Sequence, residues 1–304
     1  MLDIVPSSEV DHERALQFRL NRLNALRLNP RLPSFLWKDE VSEMAELTLL
    51  EGSFLEKERQ AVSTRAAEAP TDVAAFIAWF EELRETGPGQ NDPLFPWLAK
   101  RCSMNQMKWF LTQEVAGEAG FEDLTALTQL KLPMRPKLEL ARNYWDEMGR
   151  GNPKAMHGPL LSALAQYLDL NPLPETTVTE SLVLANTMAG LAANRRYAYQ
   201  SIGALGAIEM TAPGRSAATS AGLKRLGVRA GNRHYFALHA VLDVKHSIAW
   251  NSEAIAPLVR DDPRVASAIA EGALMRLECG ARCFARYRHE FVSSPSELRC
   301  VFSE

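Results

Sequence analysis

His239, Asp243 and His246 stand at positions i, i+4 and i+7 of the segment HYFALHAVLDVKHSIAW, residues 234–250. Wound into a helix at about 100° per residue, their side chains fall within an arc of roughly 60°. Two imidazoles and a carboxylate on one stripe make a donor set that suits ferrous iron. The competing reading is a pair of core histidines hydrogen-bonded to an aspartate, but three potential ligands on one stripe favour a metal. His234 lies about 140° from His239 and falls outside the stripe. Phe236, Val241, Ile248 and Trp250 give the rest of this helix apolar content to pack against neighbours.

A second group sits in LELARNYWDEMGRGNPKAMHGPLL, residues 138–161. Glu147 ends one predicted helix, the run Gly149 to Pro153 interrupts it, and His157 opens the next. A carboxylate and an imidazole on either side of such a turn could converge on one point; alone, Glu147 also reads as a solvated helix-end acid. Glu209 lies among the small residues of SIGALGAIEM, residues 201–210. A buried ionised carboxylate costs several kcal/mol unless paired or metal-bound, and the turn around Glu209 offers no counter-charge. Glu114, in WFLTQEVAG, is a weaker candidate, because Glu118 and Glu122 extend it into what reads as an acidic face.

The elements that must position these residues are helices. No sustained alternation of β-branched residues and no Asn-Gly hairpin signal occurs. Helices are expected near 9–28, 38–67, 72–86, 98–119, 121–131, 135–149, 154–169, 175–193, 195–210, 214–226, 231–249 and 262–291, with Thr71-Asp72 capping the third. The stretch GPGQNDPLFP, Gly87 to Pro96, is the clearest break. It divides an N-terminal helical extension, residues 1–95, from a helical core, residues 96–304. The extension could form a lid, a homodimer surface or a small subdomain.

The bulk composition narrows the function class. With 46% hydrophobic and 23% charged residues among 304, the chain can bury a sizeable core. A formal net charge of -3 offers no electrostatic footprint for nucleic acid or an anionic membrane. No apolar run approaches the roughly 20 residues of a membrane span, and the N-terminus lacks the features of a secretory signal. A soluble, cytoplasmic protein is the expectation. Cys102, Cys279, Cys283 and Cys300 have no zinc-ribbon spacing and read as small buried hydrophobes.

Taken in order, these motifs resemble the haem-oxygenase-like di-iron oxidases and oxygenases, the iron-containing redox enzymes. The likeness rests on FLTQEV with Glu114, RNYWDEMGRGNPKAMHGPLL with Glu147 and His157, YAYQSIGALGAIEM with Glu209, and the His-x-x-x-Asp-x-x-His helix. It spans roughly residues 105–250 and leaves residues 1–95 uncovered. It implies an all-α fold with a haem-oxygenase-like seven-helix bundle as core. Its metal ligands would be Glu114, Glu147, His157, Glu209, His239, Asp243 and His246, holding two Fe(II)/Fe(III) ions with O2 as co-substrate. A peroxo-diferric intermediate would then oxidise a small amine or amino-acid-like substrate, by N-oxygenation or oxidative C–C cleavage, in specialised metabolism. An electron donor is also implied. Tyr144, Trp145, Trp109 and Tyr197 read either as pocket wall or as plain core, and Arg142, Arg195 and Arg196 either as anchors for a substrate carboxylate or as a solvated face. No paired Glu-x-x-His motifs occur, which argues against the ferritin-like arrangement.

Three other readings compete. A metal-independent enzyme of the thiaminase or quinone-cofactor-synthase type would not need three ligands on one stripe. Haem binding through a single histidine would leave the clustered carboxylates unexplained. A non-catalytic interaction module, with acids and histidines satisfying each other, is separated from the enzyme readings by metal content.

Overall fold

The structure is a computed structural model that describes residues 9–117 and 120–292. Among these residues there is no strand. The helices are α1 (Glu9–Leu28), α2 (Trp37–Ala67), α3 (Val73–Thr86), α4 (Leu94–Lys100), α5 (Met104–Gly117), α6 (Phe121–Thr128), α7 (Met134–Glu147), α8 (His157–Tyr167), α9 (Thr179–Ala193), α10 (Ala198–Arg225), α11 (His234–Ala249), α12 (Ala256–Asp261) and α13 (Val265–Glu290). A π-helical stretch, Trp250–Ile255, joins α11 to α12. Asp72 caps α3 through its side chain, which accepts from the Ala75 N–H. None of the described helices is long and apolar enough to cross a membrane.

The axis of the fold is the packing of α10 against α13 and α11. The first of these contacts requires glycine. A Cβ on Gly203 would stand 1.8 Å from the Ile269 carbonyl oxygen, and one on Gly272 would stand 1.8 Å from that of Gln200. Two backbones can approach so closely only where both side chains are absent. Trp250 is completely buried beside this contact, and its indole N–H donates to the Ile202 carbonyl at 3.1 Å.

The N-terminal helices pack onto this core. α1 lies on α9 and α2, while α2 lies on α13. Leu20, Phe54 and Phe76 belong to the same buried cluster as Leu205 and Leu274. Each such side chain contributes about 1.5–3 kcal/mol when removed from water. Polar ties register the layers: the Asn186 amide donates to the Gln17 carbonyl and side chain, and Arg282 pairs with Glu58 at 2.5 Å.

Three details differ from the sequence expectations. Residues 198–225 form one helix that runs through Pro213, where the pattern suggested two. Proline in a helix interior costs roughly 3 kcal/mol, but α10 is buried on both sides of Pro213, so packing carries the helix through. The helix expected over 98–119 is instead α4 and α5. Ser103 and Gln106 form a reciprocal cap that starts the second, with Ser103 N–H donating to Gln106 Oε1 and Gln106 N–H to Ser103 Oγ. Finally, Phe236 and Trp250 are buried as expected, but Val241 and Ile248 are 67% and 64% exposed. The inward stripe of α11 is the polar one. Cys102, Cys279 and Cys283 are buried free thiols, and Cys300 lies outside the described residues.

Candidate metal centre

α7 is amphipathic in the reverse of the usual sense. Glu139, Asn143 and Glu147 are buried, whereas Met134, Leu138 and Trp145 are exposed. α11 repeats the inversion, with Asp243 and His246 buried and Val241, Val244 and Ile248 exposed. Burying carboxylates while leaving aliphatics in water works against the hydrophobic effect, so something polar must hold these faces inward.

α7 ends in a turn that brings the chain back toward its own polar face. Gly149 has φ 61°, and a Cβ there would stand 2.6 Å from the Ala155 carbonyl carbon. Asn152 caps the return through Lys154 N–H, and α8 then opens on the buried His157. The turn places His157 Nδ1 2.5 Å from Glu147 Oε2. The same Nδ1 lies 3.1 Å from His239 Nε2 on α11. His239 Nδ1 donates to the Tyr235 carbonyl at 2.8 Å, which leaves Nε2 with its lone pair toward the group.

Glu209 on α10 meets Asp243 and His246 on α11 to form a second group. His246 Nδ1 lies 3.5 Å from Glu209 Oε2 and 4.0 Å from Asp243 Oδ1, and it is buried with no hydrogen-bond partner. Its other nitrogen, Nε2, is 3.1 Å from Asp146 Oδ2. Asn143 donates to Glu209 Oε1 at 2.5 Å. In each group, Glu147–His157–His239 and Glu209–Asp243–His246, one donor atom per residue lies within 4.8 Å of the other two.

The electrostatics of the two groups differ. Burial holds His157 down to about 4, assisted by the charge on His246. His239 is also held down to about 4, by burial first and by His157 second. Burial disfavours charge on His246 too, yet the facing Glu209 and Asp146 outweigh it and raise that imidazole to about 9. Glu147 is pushed well above the ordinary carboxylate range by burial and then by Glu209. Three buried acids, Glu147, Glu209 and Asp243, thus share with one imidazolium a space that water barely reaches, a balance that a cation would improve.

A cavity of about 100 Å³ opens against both groups, with Glu147, Glu209, His239 and Asp243 on its wall. Glu114 also lines it but belongs to neither group: its carboxyl accepts from Tyr287 Oη at 3.1 Å, and that hydroxyl lies 2.8 Å from Ser181 Oγ. Six of the seven expected ligands therefore assemble into two triads, and the seventh faces the shared cavity. A neighbouring cavity of about 180 Å³ is bounded by Glu122, Glu147 and His157.

Asp146 and Glu122 escaped the sequence reading. Asp146 lies one residue from Glu147 and three from Asn143, a spacing that keeps it near the polar face of α7. Glu122 reads as part of a solvated acidic face, but a Cβ on Gly158 would sit 2.6 Å from its Oε1, so it packs close against the start of α8. Glu118 lies outside the described residues. Tyr144, Trp145, Trp109 and Tyr197 do not line the cavity. Tyr197 instead donates to Glu56, and Trp109 stacks edge-on with Tyr287. The three arginines expected to bind a carboxylate are also engaged elsewhere: Arg142 with Glu139, Arg195 with the carbonyls of Leu127, Thr128 and Leu130, Arg196 with Glu56. The arginines on the cavity wall are Arg215 and Arg276.

A family model described as iron-containing redox enzyme matches residues 108–281. That span is more than half of the chain and contains both triads whole. The chain belongs to the iron-containing redox enzyme family. No curated protein matches it. As an iron-containing redox enzyme it has an iron-dependent redox role and an all-α, haem-oxygenase-like fold. The donor sets fit iron: each triad mixes carboxylate oxygen with imidazole nitrogen, the preference of Fe(II) in non-haem sites. His157 and His239 are neutral, as ligands must be. His246 presents its unpartnered Nδ1 to the second triad while Asp146 fixes the ring from the far side, the arrangement by which metal-binding histidines are oriented.

Proposed function

We propose that this enzyme is a non-haem di-iron oxidoreductase, each triad holding one ion and the adjoining cavity holding a small substrate. The observation that carries the reading is the pair of buried triads, Glu147–His157–His239 and Glu209–Asp243–His246, built on helices whose polar faces turn inward. Ions bound there would supply electrons to dioxygen, one from each Fe(II), with coordination positions left open by the three-residue donor sets. Glu147, Glu209 and Asp243 would offset the cationic charge. Asp146 and the Tyr235 carbonyl hold His246 and His239 in one ring orientation each. Asn143 holds Glu209. Phe236, Leu161 and Leu184 give the cavity an apolar side that keeps bulk water from the reacting groups.

The substrate is a small amine or amino-acid-like molecule, oxidised by N-oxygenation or oxidative C–C cleavage. Returning ferric iron to the ferrous state requires an external electron donor whenever the substrate does not supply all the electrons.

The test is anaerobic Fe(II) titration followed by exposure to oxygen. The expected result is uptake of two irons per chain and oxygen consumption that depends on them. His157→Ala should remove one ion and His246→Ala the other. No saturable uptake, or histidine variants that keep both ions, would overturn the proposal.

A further inference from the structure

Arg276, on α13, faces the cavity. Its Nε and Nη1 are buried and make no hydrogen bond. A guanidinium cannot shed its charge, and although Arg276 as a whole is half-buried, these two nitrogens are shut off from bulk water with no acceptor to replace it. The fold nevertheless makes room for it. A Cβ on Gly280, one turn along α13, would stand 2.9 Å from Nη1, so the guanidinium occupies space that a side chain there would take. Arg215 lines the same cavity from α10.

The acids of the triads and the two arginines face the cavity from different turns, with Glu114 on the side of the arginines. Glu209 and Arg215 are six residues apart on α10, about 9 Å along the helix axis. The charges that act most on Glu147 are those of Glu209, His246, Glu122 and Asp146. Arg215 and then Arg276 act instead on Glu114, and Arg276 also on Cys283. Glu114 does not pair with it in the ordinary way, since no ion pair within 4.0 Å joins the two and the hydrogen bond that Glu114 accepts comes from Tyr287. The cavity, at about 100 Å³, exceeds several-fold the roughly 10–15 Å³ that one water needs. A guanidinium with two nitrogens left without an acceptor, beside space of that size, can take the oxygens of an anion there.

We propose that Arg276, with Arg215 beside it, binds the carboxylate of the substrate, leaving the rest of the molecule to reach the Glu147 and Glu209 side of the cavity. This rests on the cavity being the substrate site of the proposed oxidoreductase and adds the residue that selects an acid among its substrates. The planar guanidinium suits two parallel hydrogen bonds to a carboxylate, which an ammonium in its place would not reproduce. Arg276 is then a specificity residue that does not touch the metals.

The experiment is calorimetric titration of the metal-free chain with matched acids and amides: hexanoate against hexanamide, and L-norleucine against L-norleucinamide. Omitting metal prevents a carboxylate from binding through the ions. At least one acid should bind about tenfold or more tightly than its amide, the size of a charge-assisted hydrogen bond. Arg276→Gln should abolish that preference and Arg276→Lys should keep part of it, with both variants melting cooperatively. Arg276→Gln should also take up Fe(II) with the wild-type stoichiometry. Acids that bind no better than amides, acids that do not bind, or a preference that survives in Arg276→Gln would each overturn the proposal. Should the wild type take no iron yet prefer the acid, the di-iron reading falls and the carboxylate site stands.

Discussion

Replacing Asp146 with Asn tests whether the second triad is a metal site oriented from behind. The side chain is nearly isosteric and still offers an oxygen to His246 Nε2, now 3.1 Å from the carboxylate, but it lacks the negative charge. Losing a carboxylate behind a metal-binding histidine typically costs 10–100-fold in affinity. The lost ion pair with Arg150 adds little, because Arg150 is 71% exposed. A second effect opposes the first. His246 is raised to about 9 by Glu209 and Asp146, so at neutral pH a metal must displace its proton. That competition weakens binding about tenfold for each pH unit below the imidazole's pKa. Asp146→Asn removes one carboxylate that holds the proton, so competition eases at pH 7 while the orienting anion is lost at every pH. The deficit in affinity should therefore grow as pH rises from about 6.5 to 8.5, and it should fall on one ion of the two. Anaerobic Co(II) titration across that range, followed by absorbance and calorimetry, reads both quantities. A deficit shared equally by both ions, or one that shrinks as pH rises, would refute the assignment of Asp146 and His246.

Gly203→Ala or Gly272→Ala forces a methyl group to within 1.8 Å of a carbonyl oxygen across the α10–α13 contact, so a loss beyond about 3 kcal/mol in thermal or urea melting is expected. Gly214→Ala, with nothing within 4 Å of its Cβ, should be neutral or stabilising by up to about 1 kcal/mol, and equal damage at both places would discredit the close-approach argument. His234→Ala and His289→Ala, both exposed, should leave iron stoichiometry at the wild-type value, and a lost ion in either would show that the stripe is misread. The contribution of His157, His239 and His246 to the stability of the metal-free chain should peak near pH 6.5, read as the difference in melting between the wild type and a variant with Gln at all three. His246, raised to about 9, contributes stability that is complete below the unfolded value of 6.5 and is lost as pH climbs through 9. His157 and His239, held down to about 4, favour the fold above 6.5 and lose that contribution as pH falls through 4. A difference that rises steadily from pH 6.5 to 9 would contradict this balance.

The parts of the site that share one helix were legible in the sequence. His239, Asp243 and His246 are related only by helical geometry, so their common face follows from spacing. The polar turn between Glu147 and His157 is short enough for glycine and asparagine to announce that the chain reverses. Partition into two triads is different, because it depends on where α8 and α10 sit relative to α11, and no local pattern carries that information. The same gap explains the arginines. Arg142, Arg195 and Arg196 lie near the motifs in sequence, yet each points to a carboxylate or to main-chain carbonyls away from the cavity. Arg276 is distant from every motif but is brought to the cavity by the glycine contact between α10 and α13. At Pro213 local propensity alone breaks the helix, and the burial of α10 on either side overrides it.

The inverted faces of α7 and α11 connect fold to function most directly. An amphipathic helix ordinarily gains stability by burying its aliphatics, yet here Val241, Val244 and Ile248 remain in water so that Asp243 and His246 can be inside. In the metal-free chain burial pushes Glu147 toward its neutral form, and one imidazolium faces Glu209, with Asn143 on Glu209 and Asp146 on His246. Those contacts leave His246 Nδ1 buried and without a hydrogen bond. Binding two cations would replace repulsion among the acids with attraction, in a setting where water screens neither. The fold therefore predicts that the metals stabilise the chain as well as equip it for redox chemistry. Loading with redox-inert Zn(II) should raise the melting temperature by several degrees, and His246→Ala should lose about half of that gain. A chain whose melting is indifferent to divalent metal would mean that the polar faces are held inward by each other alone, and the site would then be structural.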